Sequence, residues 1–155
     1  MKQLQQIDCI YLAGFLDGDG SIIAQLVSRH DYKFKFQIRL TLQITQLKTR
    51  RWFLESLKDL VGAGYIRDRD FISDYILVEP ANVEKLLKQV QPFLRIKQKQ
   101  AKWVLKIIEQ LPSSRDSQDK FLLTCQLVDQ VAELNDTKKR KHTAKSVAAM
   151  LKELK

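Results

Sequence analysis

The run Lys35-Phe36-Gln37-Ile38-Arg39-Leu40-Thr41-Leu42-Gln43-Ile44-Thr45 alternates apolar and polar side chains without a break. A period of two is the signature of a strand with one dry face and one wet face. Upstream, residues 21 to 29 alternate less cleanly, with Ile22, Ala24 and Leu26 on one side and Ser21, Ile23, Gln25, Val27 and Arg29 on the other. They read as a partner strand joined through the polar turn around His30 to Lys33. Downstream, shorter strands near residues 64 to 69 and 73 to 78 flank a charged turn at Asp70. Together these predict two hairpins in one four-stranded antiparallel sheet.

Helical spacing surrounds the strands. Leu54, Leu57, Leu60 and Val61 precede Gly62, Val83, Leu86, Leu87 and Val90 follow, and Ala101, Val104, Leu105 and Ile108 make a third set. Further helices are expected near residues 119 to 134 and 144 to 154, and a short one before Gly18. The class is therefore α+β, an αββαββα core with extra C-terminal helices, in which helices cover one sheet face and leave the other open to a partner. A single domain is expected over 1–155, with the core at about 7–110 and a helical extension at about 111–155. Pro80, Pro92 and Pro112 are read as punctuation between apolar patterns.

Composition narrows the partner. Of 155 residues, 45% are hydrophobic and 29% charged, and 27 Lys+Arg against 18 Asp+Glu leave a formal charge of +9. Such an excess suits a polyanion, meaning DNA, RNA or an acidic membrane surface, better than a small metabolite. No apolar run approaches the ~20 residues of a membrane span, and no signal-peptide pattern opens the chain. Cys9 and Cys125 lack metal-ligand spacing and read as reduced core thiols in an intracellular compartment.

The wet sheet face carries groups able to read base edges. Gln37, Arg39 and Gln43 project from the long strand, Ile23 and Gln25 from its neighbour, and Arg67, Arg69, Asp74 and Ile76 from the second hairpin. Arg29 and Tyr32 add to them at the first turn. Arg bonds guanine bidentately and Gln bonds adenine, so the set fits the major groove, where a two-stranded ribbon can enter. The bland alternative is a face that is polar because it meets water. In Lys138-Lys139-Arg140-Lys141, Lys138 and Lys141 are candidate phosphate contacts, against the alternative of a solvated loop or a sorting signal.

Leu12-Ala13-Gly14-Phe15-Leu16-Asp17-Gly18-Asp19-Gly20 reads as an apolar helix running into two carboxylates among glycines, and the glycines suggest an unusual backbone. A helix C-terminus carries partial negative charge, so an acid there costs about 0.3–1 kcal/mol. A hard divalent cation would compensate, and an ordinary glycine cap beside a solvated Asp is the alternative.

Leu12 to Gly20 resembles the signature of the LAGLIDADG homing endonucleases. The resemblance extends in order through Gly18-Asp19-Gly20-Ser21, Thr45-Gln46, Arg50-Arg51-Trp52-Phe53-Leu54, the Asp68 to Tyr75 hairpin, Pro92-Phe93-Leu94, Lys97-Gln98-Lys99-Gln100-Ala101 and Leu134-Asn135-Asp136. It is closest to the intron-encoded, single-motif subgroup acting as homodimers. The resemblance implies that Leu12, Ala13 and Gly14 line the contact between two copies of the motif helix. It implies that Asp19 and the Gly18 carbonyl hold the metal, and that Asp19, Gln46, Arg50 and Lys97 are catalytic, with Asp17 structural. Arg51 is the neighbour with which a register slip would confuse Arg50. His30 and His142 lie in polar loops, and neither is expected to act as the base. Mg²⁺ is the expected cofactor, with Mn²⁺ as a substitute and Ca²⁺ supporting binding without cleavage.

One motif per chain and two strands to cut imply a C2 homodimer on a pseudo-palindromic duplex, without a membrane role. A domain of this length has a radius of gyration of ~15 Å, so a dimer laid along DNA at ~3.4 Å per base pair is expected to contact roughly 20 base pairs. The resemblance adds short 3′ overhangs, intron mobility and an organellar setting, chloroplast ahead of mitochondrion. A binding protein on the same fold, an RNA maturase, is the alternative, and the presence of Asp19, Gln46 and Lys97 favours cleavage over it.

Overall fold

In the computed structural model, which describes residues 1–154, the order is α1 (Gln6–Asp19), β1 (Gly20–Ser28), β2 (Phe36–Leu47), α2 (Arg51–Val61), β3 (Tyr65–Arg69), β4 (Ile72–Leu77), α3 (Pro80–Val90), α4 (Gln98–Ser114), α5 (Gln118–Leu134) and α6 (Ala144–Glu153). Short 3-10 turns at Lys48–Arg50 and Gln91–Phe93 complete the list of elements. The four strands form one antiparallel sheet in the order β1-β2-β4-β3. The αββαββα order read from the periodicities is the order observed.

Alternation along β2 decides which face is dry. Phe36, Ile38, Leu40, Leu42 and Ile44 are buried, as are Ile22, Ala24 and Leu26 on β1. All six helices contribute to the core on that side, through Leu12 and Leu16 of α1, Leu54 and Val61 of α2, Val83 and Leu87 of α3, Val104 and Ile107 of α4, Cys125 and Val128 of α5, and Val147 and Leu151 of α6. The expected boundary near 110/111 falls inside α4, and α5 and α6 share this core with the sheet. Asn135, at the end of α5, donates its amide to the Ile22 carbonyl at 3.1 Å, which ties the C-terminal helices to the edge strand. Both cysteines are buried and free, and burial pushes the Cys125 thiol up to about 12.

Local chemistry accounts for the helix ends. Gly62 closes α2 in the left-handed region at φ 71°, where a side chain would be strained. Pro80 opens α3, where its missing N–H costs nothing. Ser117 caps α5, and Thr143 with Ser146 forms a reciprocal cap on α6.

Two expectations about punctuation need correction. Pro112 lies inside α4, three residues after Glu109, and the helix runs on to Ser114 because only one bond of the last turn is lost. The motif helix likewise runs through Gly18 to Asp19, and among the described residues only Gly62 and Gly64 are glycines with positive φ. Gly20 instead permits a close approach, since a Cβ there would lie 2.6 Å from Leu16 Cα and 2.7 Å from Leu16 Cδ2. This contact turns the chain from α1 directly into β1. Gly20→Ala is expected to lower stability by about 1–3 kcal/mol, measured as a fall in the urea midpoint at unchanged slope.

Candidate active site and nucleic-acid interface

The two carboxylates at the end of α1 have different surroundings. Asp17 accepts three backbone N–H bonds, from Arg95 at 2.7 Å, Ile96 at 3.2 Å and Lys97 at 2.9 Å. Burial alone would raise its pKa, but these bonds and the nearby Lys97 charge outweigh it and hold the carboxyl below its ordinary range. The Lys97 ammonium donates to the Asp17 carbonyl at 2.6 Å, placing a cation at the negative end of the helix. Asp17 thus sets the loop that carries Lys97.

Asp19 is exposed, and Gln46 Nε2 donates to its Oδ2 at 2.7 Å. Its Oδ1 has no partner among the described residues. Gln46 is itself buried at the end of β2, on the face of Ile44, so its amide is fixed by the sheet. Arg50 is exposed and makes no hydrogen bond among the described residues, whereas Arg51 is held by Asp68 at 3.2 Å and by Glu55. Arg51 is thus occupied by two carboxylates, whereas the Arg50 guanidinium stays available among the described residues.

This donor set suits a hard cation. Asp19 offers an open carboxylate oxygen, and the Gly18 carbonyl is among the last four that a helix leaves unpaired. Among the described residues no group of three or more His, Cys, Asp or Glu converges. An ion that keeps most of its water and takes one or two carboxylates plus phosphate fits such an arrangement, and a closed all-protein cage does not.

The open sheet face forms rows across the strands. Gln25 pairs with Arg39 and Ile23 with Thr41 on β1 and β2, while Gln43-Ile76-Tyr65 and Thr45-Asp74-Arg67 run from β2 through β4 to β3. Asp74, expected as a base-reading group, is instead fully buried. Its Oδ1 accepts from Gln43 at 3.0 Å, Thr45 at 2.6 Å and Arg69 at 2.8 Å, and its Oδ2 from Arg67 at 2.9 Å and Arg69 at 2.7 Å. A carboxylate so saturated has no edge left for a base. Ile76, also expected as a contact, is buried beside it because β4 is an inner strand flanked on both sides. The role of Asp74 is to hold Arg67 and Arg69, each about half exposed, with their Nη1 groups unbonded among the described residues.

At the far end of the sheet, Arg29 lies 3.3 Å from Asp31 and its guanidinium sits over the Tyr32 ring. Lys33 donates to the Arg115 carbonyl at 2.8 Å, docking this turn onto the end of α4. Gln37 is half-buried. The loop after α5 closes a cleft of about 350 Å³ lined by Gln25, Arg39, Lys139, Lys141 and His142 among others. Lys141 is exposed there, while Lys138 donates to the Glu133 carbonyl.

The expected contact between motif helices needs correction. Leu12 and Ala13 are buried in their own chain's core, and only Gly14 of the three lies on the open side. That side instead shows Ile7, Ile10, Tyr11, Gly14 and Gly18, a helical i, i+3, i+4, i+7, i+11 stripe. Tyr11, Phe15 and Phe53 form an aromatic cluster beside it, with Trp52 67% exposed at its rim. Nothing lies within 4 Å of a Cβ built on Gly14 or Gly18.

A family model described as LAGLIDADG endonuclease matches residues 12–103. DNA endonuclease I-CreI of Chlamydomonas reinhardtii is 59% identical over 145 residues, covering 94% of this chain and 89% of that protein. DNA endonuclease I-CvuI of Chlorella vulgaris is 39% identical over 150 residues, covering 96% and 92%. The crystal structure of I-CvuI in complex with its target in the presence of calcium superposes with a TM-score of 0.92 over 96% of this chain and 95% of that one.

The Asp74 cluster makes stability depend on pH. Burial alone would raise this carboxyl, but bonds from Arg69, Thr45 and Arg67 lower it from 3.8 to about 2. Stability contributed by the ionised group is complete above its unfolded value near 4 and is lost as pH falls through about 2, a total of about 2 kcal/mol. Asp74→Asn is expected to remove about 2 kcal/mol at neutral pH and to flatten the remaining loss between about pH 4 and pH 2, as read from urea titrations across that range.

Proposed function

From the premise that this chain belongs to the LAGLIDADG endonuclease family, we propose that it is a site-specific homing endonuclease. As a homodimer it makes a divalent-metal-dependent double-strand break with short 3′ overhangs in a pseudo-palindromic duplex of roughly 20 base pairs, which promotes intron mobility. The observation that carries this reading is the Gln46–Asp19 bond, which fixes an exposed carboxylate at the foot of a cation-rich sheet.

The roles follow from the placement of each group. The open face, with Gln25, Arg39, Gln43, Arg67 and Arg69, enters the major groove and reads base edges, while Lys138 and Lys141 neutralise phosphates. Asp19 and the Gly18 carbonyl would hold the cation, which supplies an activated water and stabilises charge on the phosphate oxygens. Gln46 orients the Asp19 carboxylate and, through its amide oxygen, solvent beside it. Arg50 and Lys97 offset negative charge as it builds on the phosphoryl group. Lys97 does so from a backbone that Asp17 has already set, so little reorganisation is needed.

One chain supplies one acid, so two strands call for two chains. The stripe of Ile7, Ile10, Tyr11, Gly14 and Gly18 suits contact with its own copy, with the glycines allowing the backbones to approach closely and bringing the Asp19 groups together. Among the described residues no helix is long and apolar enough to cross a membrane. With both of these relatives from algae, a chloroplast is the setting we propose.

Selection of cleavable duplexes from a randomised pool tests the activity. With Mg²⁺ or Mn²⁺ the protein should enrich a pseudo-palindrome and cut it, and with Ca²⁺ it should bind without cutting. Metal-independent retention without scission would overturn the proposal. Asp19→Asn is expected to slow cutting by roughly a thousandfold, about 4 kcal/mol of barrier, with binding largely kept. Gly14→Leu should leave the fold of the single chain intact and weaken self-association at least about tenfold, about 1.4 kcal/mol, as read by sedimentation.

A further inference from the structure

Phe71 is 84% exposed, more than any other large apolar side chain among the described residues. An isolated exposed phenylalanine means little, but this one belongs to a structured edge. It sits in the β3–β4 turn, immediately beyond the row Leu47-Ile72-Arg69 that ends the open face. Leu47 is 50% exposed and Ile72 half-buried. At this end the reading surface passes from Arg69 to the apolar lip of Ile72, Leu47 and Phe71.

The lip is held in place. Lys48 N–H donates to the Phe71 carbonyl at 2.9 Å, and the Lys48 ammonium donates to the Asp70 carbonyl at 2.9 Å. Asp70 itself takes a positive φ of 33°, which a non-glycine residue adopts in a constrained turn. Its place along the sheet is equally defined, because Leu47 directly follows Gln46, the residue bonded to Asp19. The lip thus lies one step along β2 beyond the residue that bonds Asp19.

Apolar atoms gain nothing from phosphates. The apolar surfaces of a duplex are base faces, thymine methyls and sugar edges, and aromatic or aliphatic wedges that reach them unstack a step. We infer that Phe71, in the turn just beyond Leu47 and Ile72, packs against one base step at the inner end of each half-site and partly unstacks it. The cost of unstacking depends on the step, so Phe71 is a specificity-determining residue that favours flexible pyrimidine–purine steps there without any hydrogen bond to a base. This inference rests on the endonuclease reading above.

The test uses the full chain with Ca²⁺ on duplexes taken from the selection, with 2-aminopurine placed in turn along the inner end of each half-site. Wild-type protein should raise the emission severalfold at one step per half-site and prefer a TA or CA step over AA about tenfold. Phe71→Ser, a surface change, should keep the melting temperature and the discrimination at outer base pairs while losing both the emission rise and the step preference. Phe71→Leu should retain part of each. Equal emission and equal step preference in wild type and Phe71→Ser, with binding intact, would overturn the wedge and leave the endonuclease reading standing. Failure of the wild type to bind any pooled duplex would overturn both.

Discussion

A carboxylate at the C-terminal end of a helix is electrostatically misplaced, and α1 ends with two of them. The structure resolves the conflict for one and leaves it open for the other. Asp17 is neutralised in place by three backbone N–H groups, with the Lys97 ammonium on its own carbonyl. Asp19 receives a single amide from Gln46 and keeps an oxygen facing solvent. The first acid joins the helix end to the loop before α4, and the second keeps an oxygen open. Both depend on α1 being locked in the core by Leu12, Ala13 and Leu16 and turned into the sheet at Gly20.

The same division of labour recurs on the open face. Asp74 is fully consumed by its neighbours, and the gain is that Arg67 and Arg69 stand in fixed positions before any ligand arrives. Pre-set donors lose less conformational freedom on binding than free side chains do. Asp17 and Asp74 thus position cations, whereas Asp19 keeps an open oxygen.

Much of this was legible in the sequence where periodicity was clean. The alternation from Phe36 to Ile44 placed β2, its faces and the helix side of the sheet, and the leucine spacing before Gly62 placed α2 and its end. The motif helix was harder to read. Apolar residues occupy nearly every position from Ile7 to Leu16, so no single face stands out, and the pattern does not reveal that Leu12 and Ala13 pack inside. The stripe Ile7, Ile10, Tyr11, Gly14 and Gly18 stays exposed on that helix. Asp74 was put on the correct face by parity, but its burial comes from cross-strand arginines and an inner strand, neither of which local pattern reveals. The Asp19–Gln46 contact joins residues 27 apart, and the family resemblance placed both in one site without implying the bond between them.

The central claim is that two chains present paired Asp19 carboxylates to a cation at the DNA backbone. A crystal structure of the protein grown on a selected duplex with Mn²⁺, using anomalous scattering to locate the metal, tests it most directly. The account predicts two chains related by a two-fold axis through the Gly14 and Gly18 stripe, with anomalous density between Asp19 and the backbone phosphates. A lone chain on the duplex, or manganese bound away from Asp19, would contradict it.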